Sequence, residues 1–211
     1  WRSLTQWLGG MGVVMLGMLV LSRIMGGGMA LARAELTGPS LSRLRPKLRE
    51  TAIVLWGLYL LLTVIEFLCL QFIGGMSFFD SVNHALTTMP SGGFSTRDAS
   101  IGFYNSATID MIIIVFMFLA GVNFTLIWLA GSGNIKQAFK DEEFRTYLWY
   151  IGFAVAIITT TLLIANYAAG ESLRYTLFTV LSIGTSTGYS STDYGSWPVL
   201  ARLRLLTLMI F

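Results

Sequence analysis

Apolar runs and polar interruptions alternate along this chain on the scale of a bilayer. Residues 4–25, 51–73, 109–129 and 147–169 each form an apolar stretch that reaches the roughly 20 residues a helix needs to cross a hydrocarbon core. A fifth run begins near Val199. Between them lie residues 77–89 and 173–183, shorter and more polar. At about a dozen residues each they are too short to span and have the length of re-entrant segments. Residues 135–145 carry Asp141, Glu142 and Glu143 beside Lys140 and Arg145 and predict a short interfacial helix. Trp1 stands at the edge of one run and Phe211 inside another, so the chain reads as an internal part of a longer protein.

Composition supports a membrane solvent. Of 211 residues, 55% are hydrophobic and 12% charged, with mean hydropathy +0.69, where a soluble domain has roughly 25% charged residues. One core of this size cannot hide that apolar surface. The net charge of +3 is too small to suggest nucleic acid. The single cysteine, Cys69, lies in an apolar run and reads as a small core residue. Basic residues set the orientation. Arg23, Arg33, Arg43, Arg45, Lys47 and Arg49 follow the first span, and Lys136, Lys140 and Arg145 follow the third. The positive-inside rule makes both loops cytoplasmic and puts the two short stretches on the outer side. Arg97, Arg174, Arg202 and Arg204 weaken that bias without reversing it.

The short stretches are followed by an internal repeat. Ser91-Gly92-Gly93-Phe94-Ser95-Thr96-Arg97-Asp98 aligns without a gap on Ser186-Thr187-Gly188-Tyr189-Ser190-Ser191-Thr192-Asp193. Leu86-Thr87-Thr88 precedes the first copy and Leu181-Ser182-Ile183 the second. The unit is a span, a half-helix, a loop of glycine and hydroxyl residues, and a second span. Irregular backbone at membrane depth is tolerated only where it is buried in protein or lines an aqueous path. A half-helix ending inward offers negative partial charge to a cation. Glycine beyond it lets carbonyl oxygens turn toward an axis and replace the water of an ion. Ser91, Gly92, Gly93 and Phe94, with Ser186, Thr187, Gly188 and Tyr189, are therefore the candidate filter for a monovalent cation held by backbone carbonyls. Phe94 and Tyr189 are expected to pack outward behind it.

The chain resembles the Trk/Ktr/HKT superfamily of potassium and sodium uptake proteins, closest to its TrkH-type membrane subunit. The matching residues are Trp1 to Gly12, Ala34 to Pro39, Gly75 to Asp80, Gly92 to Asp98, Phe118 to Phe124, Asp141 to Arg145 and the Gly188-Tyr189 loop. The resemblance implies an all-α membrane protein of four such units around a pseudo-fourfold pore, and not an enzyme. It divides this chain into the last helix of the first unit (1–25), a cytoplasmic linker (26–50), the second unit (51–130), a linker (131–146) and a third unit cut short (147–211). It implies potassium uptake across the cytoplasmic membrane, with no cofactor beyond the transported ion. It also implies a homodimer, membrane lipid and a cytosolic nucleotide-binding ring of the TrkA type as partners. Sodium or mixed transport is the alternative, because in this family a filter residue of the first unit sets the preference.

Individual polar residues carry further expectations. Glu66 lies inside a span, where an acid is a functional candidate. It is expected to hydrogen-bond the following pore loop instead of meeting an ion. Asp98 and Asp193 either draw cations to the outer mouth or brace the loops through backbone N–H groups. Asn123 lines the pore or bonds between helices. His84 is expected to pack behind the filter with a hydrogen bond to a neighbour, in place of relaying protons. Trp56, Trp128 and Trp149 read as interfacial or packing residues. Gly184-Thr185-Ser186-Thr187-Gly188 matches the G-x-S-x-G pattern of serine hydrolases, with Ser186 as nucleophile, but that elbow requires a preceding strand.

Overall fold

The computed structural model describes residues 1–12 and 44–209, with side chains from Ala52 onward in the second stretch. The rest of the 4–25 span and residues 26–43 of the linker lie outside what is described, as do the side chains of Arg45, Lys47 and Arg49. Helix α1 comprises residues 2–12. Helix α2 (Leu44–Leu68) runs directly into a π-helical turn, Cys69–Ile73, and is followed by the short α3 (Phe78–Thr88). A loop and a 3-10 turn, Ser100–Tyr104, lead to α4 (Ala107–Gly121), α5 (Phe124–Gly131) and α6 (Ile135–Ala138). Helix α7 (Glu142–Ile164), the short α8 (Ala169–Gly184) and α9 (Val199–Leu208) complete the chain. Among the described residues there is no β-strand.

Lipid is the solvent this fold is built for. Ala52–Ile73 has mean hydropathy 2.4, yet only 33% of its most apolar window is buried. Phe72, Trp149, Phe153 and Ile164 stand exposed along α2–π and α7, so the apolar surface turns outward, as in a bilayer, and not into one core. Two interiors remain. One gathers Ile113, Met117, Ile158, Leu162, Phe178 and Leu205 between α4, α7, α8 and α9. The other joins Trp7, Met11, Leu55, Tyr59, Leu62, Met89 and Phe116 around α1, α2 and α4.

Two expectations about elements change. The run 109–129 is not one straight helix: α4 and α5 meet at 106°. Val122 takes an extended backbone, and Asn123 then caps α5 by accepting the Thr125 N–H at 3.0 Å. The apolar pattern continues through the break, so hydropathy does not see it. The interfacial helix expected over 135–145 is also divided. Asp141 accepts the Phe144 N–H at 3.1 Å and starts α7 there. Glu142 and Glu143 in that first turn complement the positive end of the helix dipole.

The seams between units repeat. Gln6-Trp7-Leu8-Gly9-Gly10-Met11-Gly12 aligns on Met117-Phe118-Leu119-Ala120-Gly121-Val122-Asn123. Tyr59 stacks on Trp7 at 5.3 Å and donates its hydroxyl to the Trp7 carbonyl at 3.1 Å. Tyr147 stacks on Phe118 at 5.4 Å and donates to the Phe118 carbonyl at 3.3 Å. In each seam a tyrosine, from α2 or α7, clamps an earlier helix, α1 or α4. Three residues past each clamped aromatic comes a glycine that lets the next loop approach. A Cβ on Gly10 would lie 2.6 Å from Pro90 Cβ, and one on Gly121 would lie 2.8 Å from Thr185 Cγ2. Gly10→Ala is therefore expected to destabilise the protein by about 1–3 kcal/mol through overpacking. Gly57→Ala, inside α2 where a Cβ meets nothing within 4 Å, is expected to raise stability by up to about 1 kcal/mol through helix propensity. Thermal unfolding of the detergent-solubilised full-length variants measures the difference.

Candidate functional site

The two loops beyond α3 and α8 share one backbone construction. Ser91 and Ser186 take positive φ, 54° and 58°, and so do Gly93 and Gly188, at 63° and 85°. A serine in this left-handed region is uncommon, and the same exception at equivalent places argues that the construction requires it. Ser91 N–H donates to the Thr88 carbonyl and Ser186 N–H to the Ile183 carbonyl, at 2.9 and 3.0 Å. Gly93 N–H reaches the Thr87 carbonyl at 3.2 Å, as Gly188 N–H reaches that of Ser182 at 3.0 Å. These bonds close each helix end in the manner of a Schellman cap. The hydroxyls of Thr87 and Ser182 then donate to the carbonyls of Phe94 and Tyr189, at 2.9 and 2.6 Å. Each loop is thus laced back onto its own helix. Among the described residues no hydrogen bond ends on the carbonyls of residues 91–93 or 186–188. Alternating the sign of φ along such a loop brings successive carbonyls round toward one side.

The loops also touch one another. A Cβ on Gly93 would overlap the Thr187 carbonyl oxygen, so this contact requires glycine. Tyr189 is buried behind α3. Its hydroxyl sits 2.6 Å from Thr87 Oγ1, accepts from Thr88 at 3.3 Å and can donate to the His84 carbonyl at 3.2 Å. Phe94, the equivalent aromatic, lies instead under the Arg2 guanidinium at 3.6 Å. Helix α1 backs the first loop with further polar groups. Gln6 presses on Gly92, and Ser3 donates to Asn83 Oδ1 at 2.7 Å.

Behind the first loop, Ser95 to Arg97 are tied to α3. Thr96 Oγ1 donates to Asp80 Oδ1 at 2.5 Å and Arg97 Nη2 to Asp80 Oδ2 at 3.0 Å. Burial pushes the Asp80 carboxyl upward, but the hydrogen bonds from Thr96 and Arg97 outweigh it and hold the group down at about 2. His84 is buried, and burial keeps its ring below the usual histidine range. Its Nδ1 lies 2.7 Å from the Asp80 carbonyl, which only accepts, so Nδ1 carries the proton and Nε2 accepts from Ser95 Oγ at 3.0 Å. Both ring nitrogens are therefore committed and neither is available to Ser186. The element before Ser186 is helical, without the strand a hydrolase elbow needs.

The remaining candidates scatter. Glu66 is fully buried, with its carboxyl beside Thr88 at the end of α3. Asp98 is exposed and makes no ion pair or hydrogen bond there. Asp193 Oδ1 accepts the Gly195 N–H at 2.9 Å, a local brace. Asn123 joins α5 to α7 by donating to Glu143 Oε2 at 3.5 Å. Sequence reasoning missed Asp80, Thr87, Ser182, Arg2 and Gln6. Thr87 and Ser182 were findable, since they occupy equivalent places in the gapless repeat.

The chain matches over residues 1–211 the family described as TrkH, cation transport protein. It is 38% identical over 201 residues to the Trk system potassium uptake protein TrkH of Halomonas elongata, covering 94% of this chain and 42% of that protein. To TrkH of Escherichia coli (strain K12) it is 38% identical over 210 residues, covering 98% of this chain and 43% of that one. The crystal structure of the potassium transporter TrkH from Vibrio parahaemolyticus superposes with a TM-score of 0.80 at 31% identity, covering 98% of this chain and 42% of the other. The chain thus spans less than half the length of the relatives it matches.

A carboxyl whose folded pKa is depressed contributes stability above its unfolded pKa and loses it as pH falls through the folded value. For Asp80 that window runs from 3.8 down to about 2. The Asp80–Arg97 pair is therefore expected to persist unchanged from pH 8 to about pH 4. Infrared titration of the carboxylate band, differenced against Asp80→Asn, checks this.

Proposed function

The chain belongs to the TrkH cation transport family, and from that premise we propose that it carries part of a potassium uptake path whose filter is the paired loops 91–94 and 186–189. The observation that carries the reading is the matched left-handed backbone at Ser91, Gly93, Ser186 and Gly188, with unbonded carbonyls in two loops in contact. Carbonyl oxygens so placed replace the hydration shell of a potassium ion. The carbonyl ends of α3 and α8 add negative potential behind them.

An ion is surrounded only if oxygens approach from every side, and potassium-channel filters use four loops. This chain supplies two, and its relatives are more than twice as long. The complete protein is accordingly a single-chain pore of four units with pseudo-fourfold symmetry, in which 51–130 and 147–211 are the second and third. Lys136, Lys140 and Arg145 support a cytoplasmic α5–α7 connection, with the loops on the outer face of the cytoplasmic membrane. Family resemblance supports a homodimer and a nucleotide-binding regulatory ring of the TrkA type on the cytoplasmic side. Sodium transport is less favoured because both loops keep glycine at the central position.

Serine at either central glycine is expected to lower potassium-over-sodium preference in the full-length protein. Forcing a side chain into a left-handed backbone costs about 1–2 kcal/mol, roughly a tenfold effect. Gly93→Ser adds a collision with the Thr187 carbonyl, whereas a Cβ at Gly188 meets nothing within 4 Å. Gly93→Ser is therefore the more damaging of the two. Potassium and sodium uptake by cells lacking their own potassium systems measures both. Unchanged preference in folded, inserted protein would remove these glycines from the filter.

A further inference from the structure

We propose that Arg97 is a positioning residue shared by both loops, one side chain that sets the geometry of the two together. The proposal rests on the filter reading above and adds to it the support that fixes selectivity. Arg97 reaches in two directions. Its Nη2 bonds Asp80 Oδ2 at 3.0 Å and pins the limb just beyond the first loop to α3. Its guanidinium also lies over the Phe103 ring, 4.6 Å from the centroid. Phe103 belongs to the 3-10 turn Ser100–Tyr104, whose Ser100 N–H donates to the Arg97 carbonyl at 3.0 Å.

That turn holds the second loop. Gly102 N–H donates to the Ser190 carbonyl at 3.0 Å, and Ser190 N–H donates to Ser100 Oγ at 3.2 Å. Ser190 directly follows Tyr189. A Cβ at Gly102 would stand 3.0 Å from the Ser191 carbonyl, so the approach is close along its length.

The internal repeat explains why one residue serves both loops. In the register that aligns Gly93 with Gly188, Asp80 falls on Tyr175 and Arg97 on Thr192. No ion pair can form there. The limb beyond the second loop has no charged clip of its own and leans on the turn that Arg97 secures. The chain of contact is Asp80, Arg97, Phe103, Gly102 and Ser190, and it links the limbs that follow the two filter loops.

The test uses the full-length protein in cells without other potassium uptake, reading potassium-over-sodium preference and the half-saturating potassium concentration apart from the maximal rate. The Arg97 side chain is 42% exposed, so Arg97→Gln is compatible with folding even if Asp80→Asn is not. Arg97→Gln is expected to lower the preference about two- to fivefold, the scale of a partly exposed ion pair, and to raise half-saturation at normal abundance. Arg97→Lys keeps the pairing with Asp80 without the planar stack and falls between. Arg97→Gln/Asp80→Asn is expected to be no worse than Arg97→Gln alone, because both remove one clip. A loss of abundance at constant preference, or strict additivity in the double variant, overturns the proposal. Gly93→Ser separates the two levels. If it loses preference while Arg97→Gln keeps it, the clip is wrong and the filter stands. If both keep it, the filter reading falls and the clip with it.

Discussion

Backbone that leaves a helix in apolar surroundings must find its hydrogen-bond partners inside the protein, and the arrangement of this chain follows from that demand. The two loops meet it at their bases. Amides of Ser91, Gly93, Ser186 and Gly188 fold back on the helix ends, and Thr87 and Ser182 secure the carbonyls of Phe94 and Tyr189. What is left over, among the described residues, is a short row of carbonyls in each loop on which no hydrogen bond ends. A loop meant only as a turn would have no reason to leave that row without partners.

Support for the loops comes from neighbours more than from the loops themselves. Tyr189 is seated by hydroxyls and a carbonyl of α3, which belongs to the other unit. Gly92 rests on Gln6 of α1, and Thr185 on Gly121 of α4. The tyrosine clamps at Trp7 and Phe118 keep those backing helices in register with the spans that follow. Each unit therefore completes the one beside it, and the geometry at one loop depends on helices from both sides.

Much of this was legible in sequence, for reasons that differ by element. Among the described residues, the long α2 and α7 and the short α3 and α8 follow from apolar length, and the paired loops from a repeat without gaps. The break at Val122 and Asn123 was not legible, because hydropathy runs through it and only a side-chain cap marks it. Asp80 was missed because Thr96 and Arg97 are 16 and 17 residues further on, brought back by a loop whose path no local pattern encodes. The tyrosine clamps escaped because 52 residues separate Tyr59 from Trp7 and 29 separate Tyr147 from Phe118, so the seams repeat in a register other than that of the paired loops.

The two units are alike in backbone and unlike in what surrounds it. The first loop is backed by Arg2, Ser3 and Gln6, while the positions of α4 that align with them are Ile113, Ile114 and Met117, all buried and apolar. In a pore assembled from identical subunits a single codon change would arrive on every side of the ion at once. In a duplicated single chain it arrives on one side only. Divergence such as that between Arg2 and Ile113 is then open to selection in small, separate steps, with the unaltered neighbour kept intact while the altered one is tried.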